Sequence, residues 1–240
     1  MQSIKDRLAT IKTQIADAAK SCGREPEEIT LVAVSKKKDV DTVLDAINSG
    51  VKIFGENYIQ EATDKIDAIR QKIGQKIDLD IKWHFIGHLQ SNKAKVAVKY
   101  FDLIHTVDSI KLAQEIDRQA EKIGKIQDIL IQVNISQEET KSGTEADDAI
   151  SLVESISSLK SLSLKGLMGM PPFFDEPERA RPYFRELAKI RDRIEKMHIT
   201  SISNSISMEH LSMGMSGDFQ VAIEEGSTMV RIGTSIFGTR

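Results

Sequence analysis

The sequence predicts a single closed (β/α)8 barrel, and three observations support this fold class. Eight short apolar runs alternate along the chain with amphipathic helical stretches. The length of 240 residues matches one barrel of this kind. No segment rich in Ser, Gly and Pro divides the chain into separate domains. An open, doubly wound sheet is the alternative, but a long alternation without a signal for an edge strand favours closure.

The eight runs predicted as strands are rich in Val, Ile, Leu and Met and end at polar residues or glycine. Each is followed by a junction and then by the next element, which is typical of parallel strands joined by crossover connections. The predicted strands cover residues 30–35, 52–55, 83–87, 103–107, 129–134, 164–170, 210–215 and 229–233.

The helical stretches carry signals for where they begin and end. Asp39, Ser109 and Asp218 stand at helix starts, where a side-chain oxygen accepts a backbone N–H group that has no partner within the helix. Gly124 and Gly226 stand where helices end. The predicted helices cover residues 40–48, 59–70, 109–123, 147–159, 178–197 and 218–225.

One more helix, at residues 4–21, precedes the first strand, and we expect it to cover one end of the barrel. The expected organisation is therefore a single domain over residues 1–240. Within it, residues 1–28 form the helical cover and residues 29–240 form the barrel.

Composition excludes several classes of function. The chain has 33 Lys and Arg against 36 Asp and Glu, a net charge of −3, and its basic residues are interleaved with acids, so it is not expected to bind nucleic acid. The uncharged stretch at residues 166–174 contains two prolines and is too short to span a membrane. A single cysteine, Cys22, excludes an internal disulfide and a cysteine-built metal site. No signal-peptide pattern follows the first methionine, so a cytoplasmic location is expected.

The carboxyl ends of the strands are where a barrel of this class carries its chemistry. The first predicted strand ends in Lys36, followed by Lys37 and Lys38. A lysine that points inward beside apolar walls is a Schiff-base nucleophile, because desolvation favours the neutral amine. The alternative interpretation is that all three lysines are solvated loop charges.

The loops after the last two strands contain small residues in the usual phosphate-binding position of this fold. Ser216 follows the seventh strand, and Gly233 and Thr234 follow the eighth. Such residues expose backbone N–H groups to an anion and add hydroxyl donors, although they are also ordinary turn residues. Since the eighth strand adjoins the first in a closed barrel, Lys36 is expected beside this phosphate site. That arrangement suits a phosphorylated aldehyde.

Motifs spread over the whole chain resemble a known family. They are LVAVSK at residues 31–36, FGENYIQE at 54–61, WHFIGHLQSNK at 83–93, LSMGMS at 211–216 and VRIGT at 230–234. Together they resemble the YggS/PROSC family of pyridoxal phosphate homeostasis proteins, single-domain relatives of the alanine racemase barrel. One departure is visible, since the family usually has a proline shortly after the lysine, where this chain has Lys37 and Lys38.

The resemblance implies a cofactor, pyridoxal 5′-phosphate (PLP), and the residues that hold it. It implies that Lys36 forms a Schiff base with PLP and that Ser216, Gly233 and Thr234 surround the phosphate. It also implies that Arg231 faces the pyridine nitrogen, where a fixed cation makes the ring a poorer electron sink.

Two further residues, Asn57 and His84, are implied near the ring or its hydroxyl group. For His84 the alternative is a hydrogen-bonded core histidine, and for Asn57 it is a helix cap. The pair His84 and His88 does not predict a metal site, because the segment changes from strand to loop there and no acidic partner is adjacent.

The predicted function is a non-enzymatic protein that carries or buffers PLP, with PLP-dependent apo-enzymes as recipients. A PLP-dependent amino-acid racemase is the first alternative, but it needs two opposed acid–base groups and, in the related family, a second domain that supplies a tyrosine. A lysine-dependent aldolase acting on sugar phosphates is another. Lys141 lies in a loop after the fifth strand; it is either a second lysine that handles the cofactor or an exposed loop residue.

Overall fold

The structure is a computed structural model that describes residues 2–74, 80–136, 142–197 and 205–238. Eight parallel strands form a closed barrel in which each strand pairs with the next and β8 pairs with β1. The strands are β1 (Thr30–Val34), β2 (Ile53–Glu56), β3 (Lys82–Phe85), β4 (Leu103–Val107), β5 (Gln127–Val133), β6 (Leu162–Gly169), β7 (Ile206–Met215) and β8 (Met229–Ile232). The predicted fold class is confirmed.

Helices follow the strands and form the outer layer of the barrel. They are α1 (Ile4–Ser21), which precedes β1, and then α2 (Val40–Asn48), α3 (Ile59–Ile73), α4 (Ala94–Tyr100), α5 (Ile110–Lys122), α6 (Ala146–Ile156), α7 (Arg181–Lys196), α8 (Phe219–Glu224) and α9 (Thr234–Phe237). Short 3-10 turns precede α4 and α7. The helix predicted at residues 40–48 has those bounds, and Asp39 and Ser109 cap their helices as expected.

Two helices, α4 and α9, were not among the predictions, and β7 is longer than predicted. The α4 sequence, AKVAVKY, has only 7 residues, two of them β-branched valines, and no side chain caps its start. The α9 helix is a single turn of 4 residues, too short to show a helical period. β7 begins at Ile206, because Ile206 and Met208 continue its alternation of buried residues.

The barrel interior is filled by residues that alternate with those facing the helices. In β8, Met229 and Arg231 face inward while Val230 and Ile232 belong to the large core between sheet and helices. Leu103, Leu130, Met168 and Met229 form a small apolar cluster of their own. On the helix-facing side of β2 and β3, the ring of Trp83 stacks on Phe54 at 5.1 Å and is 4% exposed.

The first helix, α1, joins the outer layer of helices. Its buried face contacts α8, α9 and α2, and Arg24, just after it, donates hydrogen bonds to the carbonyls of Ile223 and Ser227 at 3.0 and 2.8 Å. These contacts place α1 alongside the barrel, where we had expected a cover over one end. The division into residues 1–28 and 29–240 stays a prediction. In the described part of the chain, no helix is both long and apolar enough to cross a membrane.

Candidate functional site

A cavity of about 530 Å³ opens at the carboxyl ends of the strands. This volume lies in the range of small-molecule sites. Six of the seven residues predicted for the site line it: Lys36, Asn57, Ser216, Arg231, Gly233 and Thr234. Much of the remaining wall is apolar and comes from Val34, Ile86, Met170, Pro172, Phe173 and Met215.

Lys36 lies two residues beyond the end of β1, in a tight turn. The turn is closed by a hydrogen bond from the Lys38 N–H group to the Ser35 carbonyl at 3.1 Å. Lys37 takes a left-handed backbone conformation with φ of 59°, and its N–H group donates to the carboxylate of Glu61. The side-chain anchor from α3 therefore compensates for a backbone conformation that non-glycine residues rarely adopt.

A buried ion pair beneath this turn holds it in place. The ammonium group of Lys65 donates to Glu56 at 2.7 Å, to Glu61 at 2.8 Å and to the carbonyl of Ser35 at 2.8 Å. The Ser35 hydroxyl also donates to Glu56 at 2.7 Å. Burial raises the pKa of Glu56, while Lys65 opposes that rise. The residue before Lys36 is thus fixed to both β2 and α3.

Sequence reasoning missed this buried ion pair, although one signal pointed to it. Glu61 and Lys65 are four residues apart on α3, the spacing of a helical ion pair. The sequence around Lys65 does not indicate that it is only 5% exposed. Its burial depends on contacts with the ends of β1 and β2, which are distant in sequence.

The loops after β7 and β8 lie beside Lys36, as predicted from barrel closure. The Gly233 N–H group donates to the Ser216 hydroxyl at 3.3 Å, so the two loops contact each other. The ammonium group of Lys38 donates to the carbonyls of Phe237 and Gly238, at the end of α9, at 3.3 and 3.4 Å. The turn that carries Lys36 is therefore attached to the helix that begins at Thr234.

Arg231 projects from β8 into the base of the cavity and is 4% exposed. Its guanidinium donates to the Ser212 hydroxyl at 2.6 Å and to the Gly169 carbonyl at 3.1 Å. Burial lowers the pKa of Arg231 to about 10, partly offset by Asp218, so it stays charged at neutral pH. It is a fixed cation at the cavity floor.

Asn57 follows β2 and contributes an acceptor to the cavity wall. Its side-chain oxygen is buried and has no hydrogen-bond partner among the described atoms. The next helix, α3, is capped at Tyr58 without a side-chain hydrogen bond, so Asn57 is not its cap. The backbone of Gly87 packs closely against this residue, since a Cβ added at position 87 would lie 2.1 Å from the Asn57 carbonyl oxygen. The backbone at Asn57 is held closely, while its side-chain oxygen faces the cavity without a described partner.

His84 does not line this cavity, which corrects the expectation that it contacts the cofactor ring. It lies inside the barrel and lines a cavity at the opposite mouth. Its partner on the adjacent strand is Leu103, the first residue of β4. Its Nδ1 is 3.0 Å from Nε2 of His105, and it is 5% exposed. Burial is the main reason why the pKa of His84 falls to about 3. The alternative interpretation, a hydrogen-bonded core histidine, describes it.

Lys141, considered above as a second lysine, lies outside the described residues. Over residues 2–74, 80–136, 142–197 and 205–238, no group of three or more His, Cys, Asp or Glu side chains is arranged to hold a metal ion.

The fold and the site define a class: a (β/α)8 barrel with a lysine after β1 beside small-residue loops after β7 and β8. The family model described as alanine racemase, N-terminal domain, matches residues 7–240. Proteins named pyridoxal phosphate homeostasis protein are similar over nearly full length. The one from Aquifex aeolicus is 41% identical over 98% of this chain and 97% of its own, and the one from Escherichia coli K12 is 40% identical over 100% and 98%. The chain belongs to this family of pyridoxal phosphate homeostasis proteins, as its motifs indicated.

Solved structures agree with the assignment. A protein from Bifidobacterium adolescentis superposes with a TM-score of 0.87 at 36% identity, covering 97% of this chain and 94% of its own. PipY of Synechococcus elongatus, solved with PLP bound, superposes with a TM-score of 0.80 at 30% identity, covering 98% and 100%. Alanine racemase of Clostridium difficile shares the fold alone, with a TM-score of 0.69 at 16% identity; the match covers 98% of this chain and 57% of the racemase.

Proposed function

We propose that the protein binds PLP in the cavity at the carboxyl ends of the strands and carries or buffers it without substantial catalysis. The observation that carries the proposal is the convergence of Lys36, the β7 and β8 loops and Arg231 on one cavity. The PLP bound in the PipY structure and the name of the curated relatives support the same ligand. When bound, PLP supplies an aldehyde that condenses with a primary amine.

Lys36 is the residue to which the aldehyde attaches in this proposal. In the described part of the chain, no carboxylate lies within ion-pair distance of its ammonium group, so nothing there competes with the reaction for its nitrogen. Val34 and Ile86 form an apolar wall of the same cavity, and the neutral amine is the form of a lysine that attacks an aldehyde.

The phosphate group is assigned to Ser216, Gly233 and Thr234. These residues stand in two loops that already contact each other through the Gly233 N–H group. Backbone N–H groups and hydroxyls in this position form the usual phosphate site of the fold. A hydrogen bond to a charged phosphate contributes about 1.5–3 kcal/mol.

Arg231 and Asn57 are assigned to the ring. A guanidinium beside the pyridine nitrogen disfavours protonation of that nitrogen, because a second positive charge would lie next to the first. The Asn57 side-chain oxygen, which has no described partner, would accept a hydrogen bond from the ring hydroxyl group. An orphaned acceptor and a fixed cation in one cavity fit the polar groups of PLP.

A carrier is favoured over a racemase by the side chains around the cavity. Racemisation needs an acid and a base on opposite faces of the substrate. Besides Lys36 and Arg231, the titratable residue that lines the described cavity is Asp218, whose carboxylate accepts a hydrogen bond from the Met215 N–H group at 2.6 Å. PLP-dependent apo-enzymes as recipients, and a cytoplasmic location, stay predictions.

Borohydride reduction of the purified, PLP-loaded protein followed by peptide mapping tests the attachment. We expect the stable mass increase on the peptide that contains Lys36, no increase in Lys36→Ala, and full labelling in the matched control Lys37→Ala, whose side chain is exposed. Labelling of Lys36→Ala as complete as that of the wild type would assign the attachment to another lysine, with Lys141 the first to be tested.

Solvent-deuterium exchange separates the carrier from the racemase. Wild-type protein loaded with PLP is incubated with a panel of amino acids in D₂O, and deuterium at the α-carbon is measured. We expect no incorporation above that of Lys36→Ala. Lysine-dependent incorporation at about one turnover per second or faster would replace the carrier by an enzyme.

A further inference from the structure

A chain of hydrogen bonds crosses the barrel interior from Arg231 to the opposite mouth. The guanidinium of Arg231 lies 2.6 Å from the Ser212 hydroxyl, which lies 2.9 Å from Nδ1 of His105. Nε2 of His105 lies 3.0 Å from Nδ1 of His84. The four residues, on β8, β7, β4 and β3, are each 5% exposed or less. We call Ser212, His105 and His84 the acceptor chain.

The direction of each hydrogen bond follows from the donors available. A guanidinium only donates, so Ser212 accepts from Arg231. The single hydroxyl hydrogen of Ser212 is then donated to Nδ1 of His105, which places the ring hydrogen of His105 on Nε2. That hydrogen is donated to Nδ1 of His84, so His84 also carries its hydrogen on Nε2. The reverse direction would leave the Ser212 hydroxyl hydrogen without an acceptor among the described contacts.

The three residues of the acceptor chain are uncharged, although Ser212 accepts a hydrogen bond from the buried, charged guanidinium of Arg231. In the described part of the protein, Arg231 has no carboxylate within ion-pair distance. A proton added to His105 would turn its Nδ1 from an acceptor into a donor facing Ser212 and would place a second cation near Arg231. Burial, His84, Arg231 and His210 accordingly all lower the pKa of His105.

The charged groups around His84, at the far end of the acceptor chain, do not reverse the lowering of the histidine pKa values. His210 and Lys82 both add to the effect of burial on the pKa of His84. The cavity at that mouth is lined by these further charged residues: Asp102, Lys125, Asp128, Lys165 and Glu209. With Lys82, the cavity is lined by three lysines and three acidic residues, so the charges of these side chains balance.

We propose that Ser212, His105 and His84 are positioning residues that supply Arg231 with hydrogen-bond acceptors without neutralising its charge. The positive charge, opposed in the cavity by the more distant carboxylate of Asp218, then acts on the carboxyl ends of the strands and keeps the pyridine nitrogen of a bound PLP unprotonated. A carboxylate in the place of Ser212 would hold Arg231 equally well but would cancel that field. The second part of this inference rests on the proposed function; the hydrogen-bond directions do not.

The directions are tested on cofactor-free protein by NMR with ¹⁵N-labelled histidine. We expect both His84 and His105 to stay neutral, with hydrogen on Nε2, over the range of about pH 5 to 8 in which an ordinary histidine titrates. A hydrogen on Nδ1 of either ring, or titration of either ring within that range, would overturn the proposal. This result does not depend on whether PLP binds.

Variants at Ser212 add a matched comparison. Ser212→Ala removes the donor to His105, so the Nε2–H form of His105 should no longer be the single form, while Ser212→Thr should restore it. Ser227→Ala is the control, because Ser227 is also fully buried and its hydroxyl donates to the Met213 carbonyl at 2.8 Å, outside the acceptor chain. An unchanged His105 spectrum in Ser212→Ala would count against the assigned directions.

The effect on the cofactor is tested with PLP labelled with ¹⁵N in the ring. The pyridine nitrogen should be unprotonated at neutral pH in the wild type, in Ser212→Thr and in Ser227→Ala. In Ser212→Asp, its protonation should shift upward by about one pH unit or more, because the new carboxylate pairs with Arg231. If Ser212→Asp does not fold, Arg231→Gln, which removes the charge, is expected to shift the titration in the same direction. A folded, PLP-loaded variant with a wild-type nitrogen titration would overturn the proposal, whereas failure of the wild type to bind PLP would overturn the proposed function.

Discussion

The two mouths of the barrel hold cavities of similar volume, about 530 Å³ at the carboxyl ends of the strands and about 500 Å³ at the amino ends. At the amino-end mouth the lysines have partners. Lys165 lies 3.4 Å from Glu209, and the ammonium group of Lys125 donates to the carbonyls of Val98 and Phe101 at 2.8 and 2.7 Å.

At the carboxyl-end mouth Lys36 has no described hydrogen-bond or ion-pair partner, and Arg231 donates to neutral groups, the Ser212 hydroxyl and the Gly169 carbonyl. Neither Lys36 nor Arg231 lies within ion-pair distance of a described carboxylate, and Asn57 offers an acceptor without a donor. Buried polar groups are normally satisfied within a protein, so an unsatisfied one that lines a cavity is a candidate contact for a ligand or water. The amino-end cavity also contains an unsatisfied atom, Nδ1 of His210. The comparison teaches that a cavity's volume does not mark the site; described cations without a carboxylate partner do.

The largest effect expected at the carboxyl-end mouth follows from removing both phosphate hydroxyls. Ser216→Ala combined with Thr234→Ala should weaken PLP binding by about 3–6 kcal/mol, roughly 10²–10⁴-fold in Kd, while backbone N–H groups retain some affinity. Equilibrium dialysis measures the change. Lys82→Ala, at the amino-end mouth, is the control and should leave Kd unchanged; an equal loss in both variants would remove the distinction between the mouths.

Removing Lys65 should destabilise the fold beneath Lys36. Lys65→Met leaves Glu56 buried without its counter-charge, which costs about 3–5 kcal/mol. Urea unfolding measures the free energy of unfolding. The double variant Lys65→Met with Glu56→Gln removes both charges and should recover much of that loss. No recovery would show that packing around the Lys65 side chain, and not the unpaired carboxylate, is responsible.

Acid should weaken the amino-end half of the barrel interior through its buried histidines. The pKa of His84 is lowered from 6.5 to about 3 in the folded state. Below pH 6.5 the unfolded chain therefore binds the proton first, and stability falls as the pH falls from 6.5 towards 3, by about 1.4 kcal/mol per pH unit for this residue. The loss between pH 6.5 and pH 5 is thus about 2 kcal/mol.

Urea unfolding at pH 7, 6 and 5 measures this loss in the wild type and in His84→Gln, which keeps an acceptor for His105. The slope should be shallower in His84→Gln and unchanged in His88→Gln, since His88 is exposed. Equal slopes in all three proteins would contradict the assignment of the loss to His84.

The smallest effect is expected from an ion pair at the amino-end mouth. Lys165→Ala removes a partly exposed pair with Glu209 and should change the free energy of unfolding by less than about 1 kcal/mol. The PLP affinity should equal that of the wild type in the same dialysis experiment. A clear loss of affinity would mean that the two mouths act together.

Lys36 and the β7 and β8 loops were predictable because their positions depend on local order along the chain. A strand end, a glycine turn and a helix start are each visible within a few residues, and barrel closure then brings the first strand beside the last. Four site residues, Lys36, Ser216, Gly233 and Thr234, reach one cavity by this logic, whereas Arg231 and Asn57 were implied by the family resemblance.

His84 was misplaced because its depth depends on register between strands, which no local pattern contains. His84 points into the barrel, and its pairing with Leu103, at the start of β4, places it near the amino-end mouth. The burial of Lys65 is another non-local property. Sequence patterns therefore locate the residues at strand ends better than the residues inside the barrel.

The stack of Trp83 on Phe54 provides an intrinsic optical reporter. Trp83 is the single tryptophan of the chain, buried between β3 and the outer helices and next in sequence to His84. Its fluorescence therefore comes from one location, which is shielded from water while the barrel is closed and exposed when the strands separate. Emission wavelength reports the integrity of the barrel wall at that point, and it does so in the unmodified protein.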